Sequence, residues 1–109
     1  METTDNRKIE KQMALIYERV KDNKNDKNFE KDTEIIRYFV EIVEFIDVFN
    51  STAHLNSVKT LYLSEHNILH NSLESLAQKL YTSPRKLSYH RIKYARIIRR
   101  VFIKFDEKF

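Results

Sequence analysis

Apolar residues recur at helical spacing along most of the chain, and the first run of them lies in residues 5–21. The members of this run are Ile9, Met13, Ile16, Tyr17 and Val20. Because charged residues separate them, the pattern predicts an amphipathic helix with a narrow apolar stripe. The residues that follow, 21–31, are polar and rich in asparagine and lysine, and they predict a loop or linker.

A second helix is predicted at residues 33–49, and it is apolar on nearly every side. Asp32 or Thr33 can cap its start, because a side-chain oxygen of either residue can accept a hydrogen bond from a free N–H of the first turn. Only a narrow charged stripe interrupts the apolar surface, and it consists of Glu34, Arg37, Glu41 and Glu44. We expect this helix to be buried on most sides, either as a central core helix or as one that also supplies a homodimer interface.

A third and shorter helix is predicted at residues 52–64. Ser51 or Thr52 can cap its start. Its inward positions are Leu55, Val58, Leu61 and Tyr62. The polar stretch SEHNILHN comes next, and we expect it to form a loop.

A fourth helix is predicted at residues 72–80, with its leucines on one face. Asn71 and Glu74 have the spacing of a capping box at its start. A turn at residues 81–83 follows. Because a bulky residue in a left-handed turn conformation is costly, Tyr81 favours a turn that is opened or shifted.

The last helix is predicted at residues 84–105, and its two sides differ. Pro84 suits the first helical position, because the N–H that proline lacks would have no partner there, and Ser83 can cap the helix. An apolar stripe runs along one side and consists of Leu87, Tyr94, Ile98, Val101 and Phe105. Arg91 lies close to this stripe, so it must either bend outward or pair with a carboxylate.

The composition favours an all-α fold of about five helices. The 109 residues include one proline, no glycine and no cysteine. Hairpin turns and phosphate-binding loops depend on glycine, and an all-helical domain does without it most easily. We expect a single domain, residues 1–109, which is an ordinary domain length. Within it, residues 1–31 form the first helix and the linker, and residues 32–65 form the core helices.

No segment predicts secretion or membrane insertion. The N-terminal sequence METTDNRKIEKQ is charged and lacks the apolar core of a signal peptide. The densest apolar stretch, residues 35–49, contains charges and is shorter than the ~20 residues that span a bilayer. The absence of cysteine excludes disulfides and thiolate metal sites. These features predict a soluble, cytoplasmic protein with no membrane partner.

Positive charge is concentrated near the C-terminal end. Residues 75–105 contain nine lysines and arginines and no acidic residue, whereas the rest of the chain contains 11 basic and 16 acidic residues. The two parts therefore carry +9 and −5, which sum to the net charge of +4. A segment with charge of one sign indicates a polyanionic partner.

Two short helices joined by a tight turn, the second of them cationic, form the pattern of a DNA-binding helix-turn-helix at residues 71–105. The stretch SLESLAQKLYTSPRKLSYHRIKYARII resembles this module in the promoter-reading C-terminal domain of bacterial sigma factors and in small phage late-gene activators of the ArpU and RinA type. The shared positions are Leu76, Ala77, Leu80, Ser83 and Leu87, followed by a long basic helix. The resemblance implies a sequence-specific, double-stranded DNA-binding transcriptional regulator associated with a phage or mobile element.

In a helix-turn-helix, the N-terminal half of the second helix enters the major groove. The candidates for contact with base edges are Arg85, Lys86, Ser88, Tyr89 and Lys93. The candidates for contact with phosphates are Asn71 and Ser72, at the start of the fourth helix, and Arg96, Arg99, Arg100 and Lys104. Phosphate contacts position a protein on DNA, whereas base contacts give sequence specificity.

Two other functions stay open on the sequence. The same fold can serve as a protein-interaction module that binds RNA polymerase or another regulatory factor, with the basic helix secondary. A basic helix also suits structured RNA, although nothing predicts the aromatic sheet surface on which common modules stack single-stranded bases.

We expect no catalytic activity, because the sequence shows no nucleophile accompanied by a base and an orienting group. His66 and His70 have the i, i+4 spacing of two zinc ligands. However, they lie in a predicted loop and have no evident third ligand. The sequence therefore predicts neither a metal site nor a cofactor.

Overall fold

The computed structural model describes residues 2–22 and 25–109, with side chains from residue 5 onward. Residues 23 and 24 of the predicted linker lie outside this part of the chain. The described residues form five helices and no strand, which confirms the predicted all-α class. The helices are α1 (Glu2–Asp22), α2 (Phe29–Asn50), α3 (His54–Tyr62), α4 (Leu73–Lys79) and α5 (Pro84–Lys104). Among the residues described, no helix has both the length and the apolar character needed to cross a bilayer.

All five helices contribute to one hydrophobic core. Ile9 of α1, Phe39 of α2, Val58 of α3, Leu76 of α4 and Ile98 of α5 are all buried in it. The longest helices, α1, α2 and α5, pack against one another, while α3 rests on α1 and α2, and α4 rests on α5. This arrangement places α5 at the side of the molecule, with one face on the core and the other toward solvent.

The predicted start of α2 is wrong, because the helix begins at Phe29, four residues before the predicted residue 33. Asp32 does not cap the helix. It lies buried inside α2, where its two carboxylate oxygens accept hydrogen bonds from the Arg19 guanidinium, both at 2.9 Å. Thr33 is also inside the helix and donates to the carbonyl oxygen of Phe29 at 2.7 Å. Asp32 has the residue type of a helix cap, but its carboxylate pairs with an arginine of α1 instead.

The expectation that α2 is buried on most sides is also wrong. Its buried apolar residues, Ile35, Phe39 and Val43, occupy a single face. On the outer side of its last two turns, Phe45 and Val48 are exposed. The helix is apolar nearly all round, but the other helices cover only part of it.

The start of α3 is capped from the preceding helix, so the predicted caps Ser51 and Thr52 are wrong. The carboxylate of Asp47 in α2 accepts hydrogen bonds from the backbone N–H groups of His54 and Leu55, at 2.7 and 2.8 Å. It also accepts one from the Thr52 hydroxyl at 2.7 Å. Burial acts to raise the pKa of Asp47, but these hydrogen bonds together outweigh it and hold the pKa below its ordinary value. One side chain therefore joins the end of α2 to the start of α3.

The helix α4 is capped by Ser72, whose hydroxyl accepts a hydrogen bond from the Ser75 backbone N–H at 3.1 Å. The predicted cap at Asn71 is one residue too early. At the other end, Tyr81 has a φ of 54°, and Thr82 N–H donates to the Ala77 carbonyl oxygen at 3.0 Å. This is a closed Schellman turn, so the expected opening at Tyr81 does not occur.

The helix α5 begins at Pro84 as predicted, and the hydroxyl of Ser83 accepts a hydrogen bond from the Lys86 backbone N–H at 3.1 Å. The predicted apolar stripe faces the core. Leu87, Tyr94, Ile98 and Val101 are buried, and Phe105 is half-buried just beyond the last residue of the helix. The phase of α5 in the sequence therefore matches its orientation on the core.

Candidate nucleic-acid interface

The five residues predicted to contact base edges are all exposed on the first half of α5. They are Arg85, Lys86, Ser88, Tyr89 and Lys93. Three of them, the cations Arg85, Lys86 and Lys93, form no ion pair with any carboxylate of the described residues. Their positive charges are therefore directed to solvent.

The predicted phosphate contacts on α5 fall into two groups. Arg96 and Arg100 are exposed and continue the cationic face toward the end of the helix. Arg99 and Lys104 lie against aromatic rings instead. The Arg99 Cζ atom is 5.3 Å from the ring centroid of Phe109, and the Lys104 Nζ atom is 5.0 Å from that of Tyr38. Both are cation–π distances, so these two side chains also stabilise the fold.

The remaining phosphate candidates lie at the start of α4. Ser72 is exposed and its hydroxyl caps the helix. Asn71 is half-buried and lines a groove with Arg7 and Lys11 of α1. A second groove, bordered by Leu73, reaches from Arg7 to Ser88 on α5. The start of α4, the first half of α1 and the Ser88 edge of α5 are therefore neighbours on the surface.

Arg91, the arginine nearest the apolar stripe, pairs with a buried carboxylate of α1. Its Nε and Nη2 atoms each donate to an oxygen of Glu10 at 2.9 Å. The Tyr62 hydroxyl donates to the same carboxylate, of which 2% is exposed. Burial acts to lower the pKa of Arg91. The hydrogen bonds to Glu10 and the charge of Glu10 outweigh burial and raise the pKa of Arg91. Burial and the charge of Glu10 raise the pKa of Tyr62 well above its ordinary value.

This buried contact fixes the rotation of α5 about its own axis. A bidentate bond between Arg91 and a carboxylate has a defined plane, and Glu10 is held in place by Tyr62 from a third helix. The positions opposite Arg91 on α5 must then face solvent. Of the two outcomes left open by the sequence, pairing with a carboxylate is the one confirmed.

A groove on the other edge of the cationic face includes the start of α3. Tyr89, Lys93 and Arg96 line it together with His54. His54 is held in position by a hydrogen bond of 2.7 Å between its Nδ1 atom and the hydroxyl oxygen of Tyr94. The groove thus joins an imidazole ring from α3 to the cations of α5.

The charge of His54 depends on its neighbours in this groove. Burial lowers its pKa, and the nearby positive charge of Lys93 and the ring of His90 lower it further, against the opposite effect of Asp47. The neutral form of His54 is therefore favoured over the charged form more than it is in an unperturbed histidine. An anion bound in the groove would favour its protonation.

Three residues at this surface were missed by sequence reasoning. Arg7 and Lys11 are exposed on α1 and border Asn71, and His54 lies beside Lys93. Their i, i+4 spacing places Arg7 and Lys11 on one side of α1. No local pattern indicates that this side meets the start of α4. His54 has no sequence signal either, because its position depends on how α3 packs.

The described residues contain no cluster of three or more side chains that could hold a metal ion. His70 pairs with Glu18 through its Nε2 atom at 2.6 Å, and His66 is exposed. Comparison with family models, with curated proteins and with solved structures gave no match.

Proposed function

We propose that this chain is a sequence-specific, double-stranded DNA-binding transcriptional regulator, and that α4, the turn and α5 act as a helix-turn-helix. The observation that supports the proposal most directly is the outer face of α5, where Arg85, Lys86, Lys93, Arg96 and Arg100 are all exposed. Counterion release from DNA by such a face supplies affinity without sequence preference. The resemblance to sigma-factor and phage-activator modules points to the same function.

The dimensions of α5 suit a DNA groove. The helix has 21 residues, which corresponds to a length of roughly 31 Å, and B-DNA offers a major groove about 12 Å wide that admits an α-helix. The helix α4 packs against α5, and Arg85 and Lys86 in the first turn of α5 are exposed. In the proposed complex the first half of α5 enters the groove.

The exposed side chains divide into two roles in this proposal. Arg85 and Lys86 lie in the first turn, where a recognition helix reaches base edges, and an arginine can bind guanine O6 and N7 in a bidentate manner. Arg96 and Arg100 lie about three and four turns further along and contact phosphates. Arg7 and Lys11 of α1 extend the cationic surface on the side of Asn71.

The test is an electrophoretic mobility shift assay over a salt series, with a selected duplex and a scrambled duplex. For Arg85→Ala we expect loss of affinity mainly on the selected duplex, by roughly tenfold or more. For Arg100→Ala we expect similar loss on both duplexes and a salt slope reduced by about 1. The control is Arg37→Ala, which removes an exposed arginine of α2 that pairs with Glu34.

Two results would contradict the proposal. One is the absence of binding to any duplex at low salt, where electrostatic attraction is strongest. The other is an equal loss of affinity for Arg37→Ala and Arg85→Ala, which would indicate that only net charge matters. Preferred binding to a structured RNA of similar length would replace DNA by RNA as the partner.

A further inference from the structure

The C-terminal end of α2 exposes three large apolar side chains on one ridge. Phe45, Val48 and Phe49 are 69%, 83% and 78% exposed. Their i, i+3, i+4 spacing places them side by side on the helix surface, and the rings of Phe45 and Phe49 stack with centroids 6.0 Å apart and planes at 20°. Nothing else in the described part of the chain packs over this ridge.

The helix end that carries the ridge is closed by hydrogen bonds. Ser51 takes the left-handed conformation with φ 55°, and the Thr52 backbone N–H donates to the Asp47 carbonyl oxygen at 3.0 Å. The side chain of Asp47 also binds the start of α3 through His54 and Leu55. Because the backbone on both sides of the ridge is hydrogen-bonded, little conformational entropy would be lost when a partner covers it.

The size of the ridge matches the apolar part of a protein interface. A phenylalanine side chain buries about 150–250 Å², so at their exposures the three residues present roughly 400 Å² of apolar surface. A standard interface buries about 800 Å² per partner, of which a little more than half is apolar. The ridge therefore supplies about the apolar area that one side of a stable dimer requires.

The charges around the ridge favour a partner that carries both signs. Glu41 and Glu44 are exposed on one edge. On the other edge a groove lined by Ile42 and Ile46 leads to Lys93 and other cations of α5. A uniformly acidic or uniformly basic partner would be repelled from one of the two edges. A second copy of this chain carries the same apolar ridge and both kinds of edge.

We propose that the ridge formed by Phe45, Val48 and Phe49 is the contact surface between two copies of this chain. In a two-fold arrangement the same patch meets itself, so the two ridges cover each other. The proposal does not depend on DNA binding, since α2 is a different helix from the one proposed to enter the groove. It can therefore hold or fail separately from the proposed function.

The first test is sedimentation equilibrium of the full chain without DNA, over a concentration series. We expect a monomer–dimer equilibrium for the natural sequence and, for Phe49→Ser, dimerisation weakened at least about tenfold. Leu15→Ser is the matched control, because Leu15 is an exposed apolar residue of α1 at 52% exposure. Circular dichroism verifies that both variants keep their helices.

The second test uses the absence of cysteine from the chain. Val48→Cys should form disulfide-linked dimers under mild oxidation, whereas Leu15→Cys should not form them at a comparable rate. A chain that stays monomeric up to ~1 mM overturns the proposal and leaves a different protein as the occupant of the ridge. Equal weakening by Phe49→Ser and Leu15→Ser, or equal cross-linking of the two cysteine variants, also overturns it.

Discussion

Both sides of α5 carry arginines, but the one on the inner side is paired with a buried carboxylate and those on the outer side are exposed. On the inner side, Arg91 is bound to Glu10, a carboxylate that is 2% exposed. On the outer side, Arg85 and Arg100 are exposed and pair with no carboxylate of the described residues. The inner arginine holds the helix on α1, and the outer arginines are directed to solvent.

The number of basic residues in a segment therefore does not give the number of cations that can contact a partner. Of the nine basic residues between positions 75 and 105, Arg91 forms a buried ion pair, and Arg99 and Lys104 contact aromatic rings. The cations of α5 that are exposed and form no ion pair with a carboxylate of the described residues are Arg85, Lys86, Lys93 and Arg100. Their spacing places them on one face of α5, and the contact of Arg91 with Glu10 turns that face toward solvent.

The largest effect should come from Arg91→Ala, which leaves the buried carboxylate of Glu10 without its cation. We expect a loss of about 3–5 kcal/mol in the free energy of unfolding, because an unpaired buried charge is strongly destabilising. Urea denaturation followed by circular dichroism measures it. On the outer side, Arg100→Ala should change stability by less than about 0.5 kcal/mol.

The double variant Glu10→Gln/Arg91→Met sharpens this prediction. It removes both charges and keeps an acceptor for the Tyr62 hydroxyl, so we expect it to recover most of the stability lost in Arg91→Ala. If the double variant is as unstable as the single one, the ion pair is not what holds α1 and α5 together. If Arg91→Ala is as stable as the natural protein, the inner arginine does not stabilise the fold more than the outer arginines do.

The second prediction concerns the outer side, where we expect a change in DNA affinity and little change in stability. Replacing Lys93 and Arg100 together by alanine should lower affinity for duplex DNA by roughly tenfold or more, and it should reduce the salt slope by about 1, because Arg100 is the phosphate contact of the two. Fluorescence anisotropy over a salt series measures both values. The unfolding free energy should stay within about 0.5 kcal/mol of the natural protein. Unchanged DNA affinity would contradict the role of the outer side.

A smaller effect is expected at the turn that orients α5. Tyr81 is almost fully exposed and has a φ of 54°. Because a left-handed conformation costs a non-glycine residue roughly 1 kcal/mol, Tyr81→Gly should stabilise the protein by about that amount in urea denaturation. Tyr89→Gly is the control, since Tyr89 is an exposed tyrosine inside α5 and glycine there should destabilise by about 0.5 kcal/mol. The same change in both variants would contradict the assigned turn.

The smallest effect concerns pH. The pKa of His54 is lowered in the free protein by burial, Lys93 and His90, against the opposing charge of Asp47. A phosphate near the groove would raise that pKa, so binding would take up a proton. DNA affinity should then increase, on the order of threefold, as the pH falls through the pKa that His54 has in the complex.

The measurement compares His54→Gln with His66→Gln at pH 7.5 and pH 5.5. His54→Gln should flatten the pH dependence of affinity. His66→Gln should leave it unchanged, because His66 is exposed in the segment between α3 and α4. If the two variants share one pH dependence with the natural protein, phosphates do not approach the groove beside His54.

Local patterns predicted α5 better than α2. The apolar stripe of α5, its start at Pro84 and its cap at Ser83 could all be read from the order of residues, because they depend on neighbours within one turn. The start of α2 could not. Asp32 has the residue type of a cap, but its carboxylate binds Arg19, 13 positions earlier. The apolar side of a helix can be identified from neighbouring residues, whereas the partner of a charged side chain can lie far away in the sequence.

The sequence by itself determined the all-helical class, the five helices, and the separation of apolar and cationic sides on α5. The all-helical class follows from the absence of glycine in the whole chain. The positions and sides of the helices follow from periodicity and capping, which act over a few residues. Only the tertiary structure decided that Arg91 would be buried with Glu10, that His54 would join the groove of Lys93, and that Phe49 would remain uncovered. Each of these depends on distances between helices, and helix packing sets those distances across many intervening residues.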